Sequence, residues 1–167
     1  LLRNSNLCVC LQICLLSLSV GSVSAFAAQI ETDICVLSAT PAGISAALAA
    51  SRLGSKVVLI ERTSHIGGLP ANGLGITDIA TRATIGGLFK EFISAVKDHY
   101  VKTYGTDSQQ VKDCSDGYHF EPQVAEQVFE RLLSNAANVQ VLRRHQFDGQ
   151  AAVGNHKLKS IMITNPE

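Results

Sequence analysis

Two short apolar runs set the frame for this chain. Asp33-Ile-Cys-Val-Leu37 and Lys56-Val-Val-Leu-Ile60 carry no polar residue inside the run, the pattern of strands buried on both faces of a parallel sheet. Between them, Ile44 to Leu53 is rich in alanine and leucine and stops at Gly54, as a short helix with a glycine C-cap does. Parallel strands cannot be joined by a tight hairpin. Strand, turn, helix and strand within about 30 residues therefore predict a βαβ unit with a right-handed crossover.

The turn of that unit is Ser38-Ala39-Thr40-Pro41-Ala42-Gly43. A strand-to-helix turn that holds a dinucleotide must be tight, must let its backbone approach a pyrophosphate, and needs an acid at the end of the second strand for the ribose hydroxyls. Aligned as G-x-G-x-x-G, the three glycine positions are Ser38, Thr40 and Gly43, so only the third is glycine. Serine and threonine are small, and their hydroxyls are available to a phosphate. Gly43, Ala46, Ala47 and Ala50 make a narrow helix face that can lie close to the sheet. From the turn alone, an ordinary βαβ unit without nucleotide fits equally well. Glu61, 18 residues after Gly43, closes the second strand. Glu61-Arg62 followed by Gly67-Gly68 favours the nucleotide.

Downstream, residues 62–79 form a glycine-rich loop with Gly67, Gly68, Gly73 and Gly75, long enough to be functional. Ile85 to Tyr100 places Leu88, Phe89, Phe92, Ile93 and Val96 at helical spacing, which predicts an amphipathic helix. Residues 106–118 are polar and read as a loop. Pro122 suits the first turn of another helix, whose apolar stripe is Val124, Ala125, Val128, Leu132 and Leu133. Val139 to Leu142 reads as a strand. Residues 147–153 and 158–164 read as a β-hairpin about a Gly154-Asn155 turn.

Length and composition narrow the class. A chain of 167 residues is long enough for one domain. Lysine plus arginine and aspartate plus glutamate each number 14, without the basic excess of a nucleic-acid binder. His65, His99, His119, His145 and His156 are scattered without metal-ligand spacing, and neither G-x-S-x-G nor H-E-x-x-H occurs, so metal, hydrolase and zinc-protease readings lack support.

The N-terminus reads as a targeting segment. Arg3 is followed by no charge until Glu31, by an apolar stretch from Leu7 to Val20, and by Ala25-Phe26-Ala27. That is a secretory signal peptide cleaved after Ala27. It divides the chain into residues 1–27 and 28–167 and implies a secreted or periplasmic protein with no stable membrane association after cleavage. The alternative is a retained N-terminal membrane anchor, a reading that serines and glycine in the second half weaken. Cleavage removes Cys8, Cys10 and Cys14 and leaves Cys35 and Cys114. Cys35 is expected as a buried small hydrophobe and Cys114 in a polar loop. Two cysteines make no disulfide framework. The chain begins at Leu1, and residues 160–167 run from a strand into a turn, so it is expected to be a piece of a longer protein.

Ser38-Ala-Thr-Pro-Ala-Gly43, Val57-Val-Leu-Ile-Glu-Arg62 and His65-Ile-Gly-Gly-Leu69 resemble the N-terminus of FAD-dependent oxidoreductases of the glutathione-reductase-like superfamily. Asn72-Gly-Leu-Gly-Ile-Thr-Asp78 and Phe120-Glu-Pro-Gln-Val-Ala-Glu126 are similar, more narrowly, to the family known simply as FAD-dependent oxidoreductase. The resemblance spans Thr32 to Thr164. It implies an α/β fold: a Rossmann-like βαβ FAD-binding domain, incomplete here, with an added β-hairpin. It also implies FAD as cofactor and hydride transfer between flavin and a small-molecule substrate. By the same resemblance, Ser38, Ala39, Thr40, Pro41, Ala42 and Gly43 would wrap the pyrophosphate. Glu61 would bind the adenosine ribose, with Arg62 flanking the adenosine. Gly67 and Gly68 would pass close to the flavin-side phosphate and ribityl chain, and Asn72 and Gly73 would lie near the isoalloxazine ring. Gln146 or Phe147 would offer backbone contacts to the adenine, and His65 is the one histidine near the cofactor loop. No catalytic residue, metal or oligomeric state is implied, and the substrate domain would follow in sequence. Two alternatives stand beside this: an NAD-binding dehydrogenase domain, against which the Gly67-Gly68 loop argues, and a truncated, non-catalytic product.

Overall fold

All four residues of β2 (Val57–Ile60) are buried, because β2 is the middle strand of a three-stranded parallel sheet. β1 (Ile34–Leu37) pairs along one side, from Ile34 opposite Val57 to Leu37 opposite Ile60. β3 (Val139–Leu142) pairs along the other, from Val139 opposite Val57 to Leu142 opposite Ile60. This computed structural model describes residues 28–166, and the fold reported is that of the unit Glu31–Glu167. The signal-peptide expectation over residues 1–27 lies outside the described residues.

The expectation that both strands are buried on both faces holds for β2 and fails for β1. Ile34 is 37% and Leu37 50% exposed, and Cys35 is only partly buried. Among the described residues β1 pairs with β2 alone, so its open edge leaves the apolar run partly uncovered. Burial still raises the Cys35 thiol above its ordinary range.

α1 spans Pro41–Arg52 and starts earlier than the alanine-rich stretch suggests. Thr40 is its N-cap, with Oγ1 accepting the Gly43 N–H at 3.3 Å. Pro41 takes the first helical position, where no N–H is needed. The turn between β1 and α1 is thus shortened to Ser38, Ala39 and Thr40. Ile44, Ala47 and Leu48 face inward.

Two longer helices complete the core. α3 follows the short helix α2 (Gly68–Ala71) and spans Gly87–Tyr104, burying Phe92, Ile93, Val96 and Tyr100. Phe92, Ile93 and Val96 are the inner part of the predicted stripe, while Leu88 and Phe89 at its start are only partly buried against the core. α5 (Pro122–Ser134) buries Val124, Ala125, Val128, Phe129 and Leu133. Phe92 joins the two: it stacks on Phe129 with centroids 4.5 Å apart and meets Phe120 edge-on at 5.5 Å.

The segment read as a polar loop is ordered instead. α4 (Gln109–Asp113) is capped by Ser108, whose Oγ accepts the Val111 N–H at 3.3 Å. A 3₁₀ turn follows at Ser115–Gly117. Cys114 between them is buried, its thiol donating to the Val111 carbonyl. It packs into the core with Tyr118, which corrects the polar-loop placement.

After β3 the chain forms a separate antiparallel hairpin, β4 (Gln146–Gly154) and β5 (Lys157–Thr164). Its turn is Asn155-His156, one residue later than expected, with φ of 53° and 59°. Positive φ at both central residues matches the twist of the strands. The architecture is α/β, an incomplete Rossmann-like sheet with an added hairpin. Among the described residues, no helix is long and apolar enough to cross a membrane, and no cluster of side chains is arranged to hold a metal ion.

Candidate functional site

The turn after β1 is built by serine in a glycine-type conformation. Ser38 has φ of 78°, and its N–H donates to the Ile60 carbonyl at 2.7 Å. The first glycine of the fingerprint is therefore replaced in residue type while the backbone shape it serves is kept. Gly43 is needed for a different reason. A Cβ there would sit 2.0 Å from the Ser38 carbonyl oxygen, so only glycine lets the helix start this close to the strand.

Glu61 stands at the end of β2 and is turned back onto this turn. It is buried, and its Oε2 accepts the Ala39 N–H at 2.8 Å. Its Oε1 accepts the Thr63 N–H at 2.9 Å. The Thr63 hydroxyl has one proton, shared between Glu61 Oε1 at 3.0 Å and the His65 carbonyl at 2.8 Å. Burial pushes the carboxyl up, but backbone donors of Thr63, Ala39 and Arg62 and the Thr63 hydroxyl outweigh it and hold the group below the usual glutamate range. The acid is therefore charged and fixed in place.

A third segment arrives through the same residue. Gly67, at φ of 101°, donates its N–H to the Ala39 carbonyl at 2.7 Å. A Cβ on Gly68 would lie 3.2 Å from Pro41 Cδ and 3.3 Å from Thr40 Cα. Both peptide groups of the fully buried Ala39 are thus engaged, one by Glu61 and one by Gly67. Residues 38–43, Glu61 and the Gly67-Gly68 turn form one cluster.

The other expected site residues stand further out. Arg62 is exposed. Asn72 donates from Nδ2 to the Gly68 carbonyl at 2.7 Å and closes α2. Gly73, at φ of 127°, has open space around it. Past β3, the His145 N–H donates to the Glu61 carbonyl at 3.0 Å, which carries the chain past the end of β2 just before Gln146 and Phe147. His65 is paired with Glu126. Thr63 was missed from the sequence. Its signal was a hydroxyl two residues after a strand-closing acid, where such side chains bond locally.

The cluster suits a ligand with a phosphate beside a pair of hydroxyls. The start of a 12-residue helix offers the positive end of its dipole, although Thr40 already takes the Gly43 N–H and Pro41 carries none. Glu61 supplies a fixed carboxylate for hydroxyl donors, and the missing side chains at Gly43 and Gly68 let α1 pack close to β1 and the second glycine pack against Thr40 and Pro41.

Residues 33–166 match the family model described as FAD dependent oxidoreductase. No curated protein sequence matches the chain. Among solved structures, L-amino acid deaminase from Proteus vulgaris has a TM-score of 0.55 at 14% identity, over 83% of this chain and 45% of that one. A form of the same enzyme lacking its specific insertion sequence gives 0.51 at 13% identity, over 81% and 50%. At these identities the likeness is one of fold. The chain spans about half the length of these solved structures.

Proposed function

This chain belongs to the FAD dependent oxidoreductase family, whose cofactor is FAD, and on that premise we propose that it is the FAD-binding start of an enzyme that moves hydride between flavin and a small-molecule substrate. FAD, when bound, supplies the hydride chemistry. The residues of this chain bind and orient it. In this reading Ser38 to Gly43 hold the pyrophosphate at the start of α1, and Glu61 accepts from the adenosine ribose. Arg62 flanks the adenosine. Gly67 and Gly68 give backbone access to the flavin-side phosphate, and Asn72 and Gly73 border the ring. No catalytic residue is assigned to this chain.

One observation carries the reading. Ala39 is bonded through its N–H to Glu61 and through its carbonyl to Gly67, so the three segments that the resemblance gives to FAD meet at a single residue.

The apolar segment ending at Ala25-Phe26-Ala27 supports export, with residues 1–27 as a cleaved leader and residues 28–167 as the start of the FAD domain. N-terminal sequencing of the exported protein should begin at Ala28; a retained Leu7 to Val20 segment overturns the leader. The cofactor reading is tested on the purified protein that carries this chain. A visible flavin spectrum that bleaches on reduction is expected. A colourless, flavin-free protein contradicts it.

A further inference from the structure

Glu126 lies on α5, outside every segment assigned above to the cofactor, yet its carboxylate reaches the cofactor loop. Its Oε1 accepts the Ile66 N–H at 3.1 Å. Nδ1 of His65 lies 3.1 Å from each Glu126 oxygen. Phe129, one helical turn further along α5, meets the next residue: a Cβ on Gly67 would lie 2.7 Å from Phe129 Cδ2. On its other side Gly67 is tied to Ala39.

Consecutive glycines have the least intrinsic preference for any one backbone conformation. Gly67 and Gly68 are nonetheless both left-handed here, at φ of 101° and 56°. Something outside the turn has to hold them, and α5 does so at two adjacent points, a carboxylate on Ile66 and a ring on Gly67. Ile66 is fully buried, so losing the acceptor for its N–H is costly.

We infer that Glu126 is a positioning residue: by accepting the Ile66 N–H it clamps the Gly67-Gly68 turn in the shape that meets FAD. The inference rests on the reading of Gly67 and Gly68 as cofactor residues. The clamp needs an acceptor at the position of Oε1 and does not need His65, whose side chain is 63% exposed.

The test uses the protein that carries this chain and four variants, Glu126→Ala, Glu126→Asp, Glu126→Gln and His65→Ala. FAD affinity is read by quenching of flavin fluorescence, and hydrogen exchange at the Ile66 and Gly67 amides is read without FAD. Alanine removes the acceptor and aspartate draws it back by one methylene, so both should weaken FAD binding about tenfold and speed exchange at Ile66 about tenfold. Glutamine keeps an acceptor oxygen, so it should stay within about threefold of the parent in both readouts, as should His65→Ala. If alanine does not fold, the contrast between aspartate and glutamine decides. Aspartate at parental affinity and exchange, or glutamine falling as far as aspartate, overturns the clamp. A parent chain with no FAD affinity overturns the cofactor reading instead, while the exchange contrast still decides whether Glu126 holds the turn.

Discussion

The carboxylate of Glu61 accepts the backbone N–H of Ala39 at 2.8 Å, which ties the end of β2 to the turn that opens α1. Glu61 sits below the ordinary glutamate value of 4.5 because its donors outweigh burial. A carboxyl whose folded value is depressed stabilises the fold above its unfolded value, and that contribution is lost as pH falls through the folded one. Glu61→Gln should therefore be less stable than the parent at neutral pH by about 1–3 kcal/mol. The gap should close as the pH falls below the ordinary glutamate value of 4.5 and through the lower folded value. Thermal unfolding of both proteins across that range checks it. Parallel curves refute the role of the charge, since all other carboxyls are shared.

Gly43→Ala should destabilise the chain by about 3 kcal/mol. Helix propensity alone favours alanine by about 1 kcal/mol, so a loss in urea unfolding isolates the contact with the Ser38 carbonyl, 2.0 Å from the added Cβ. A gain would contradict the close approach of α1 to β1.

Ser38→Gly should act in the opposite sense. Ser38 holds φ of 78°, a region that costs a residue with a Cβ about 1–2 kcal/mol. Glycine recovers part of that, so the cofactor-free chain should gain about 1 kcal/mol in urea unfolding. A loss of stability would mean that the serine side chain holds the turn.

Two substitutions separate core from surface. Phe92→Ala breaks contacts with both Phe120 and Phe129 and should cost about 3–5 kcal/mol. Arg52→Ala removes a bidentate pair with Glu91 whose side chains are 52% and 42% exposed, and should cost under about 1 kcal/mol, less in high salt. Equal costs in urea unfolding would contradict this division of the fold.

What was legible in the sequence depended on how local the cause is. The run Val57 to Ile60 was readable because a central strand needs apolar residues at every position, and Glu61 because it ends that run. The exposure of Ile34 and Leu37 was not, since edge position depends on which strands pair. The start of α1 was marked by Thr40-Pro41, an N-cap followed by proline. The glycine fingerprint drew those residues into the turn instead. Cys114 sits in a polar stretch whose helix of five residues is too short to show a period. Its burial comes from α3 packing over it. The bond from Glu126 to Ile66 joins residues far apart in sequence, which no pattern within one segment reveals.

The central claim is that the cluster at Ala39 is built for FAD. The most direct measurement is the rise in unfolding temperature of the purified protein that carries this chain as FAD, and separately NAD, is added, because a ligand that binds only the folded state stabilises it with concentration. FAD should raise the midpoint saturably, at concentrations at least about tenfold below any effect of NAD, and Glu61→Gln should weaken that response. No response to FAD, or an equal response to NAD, would contradict it.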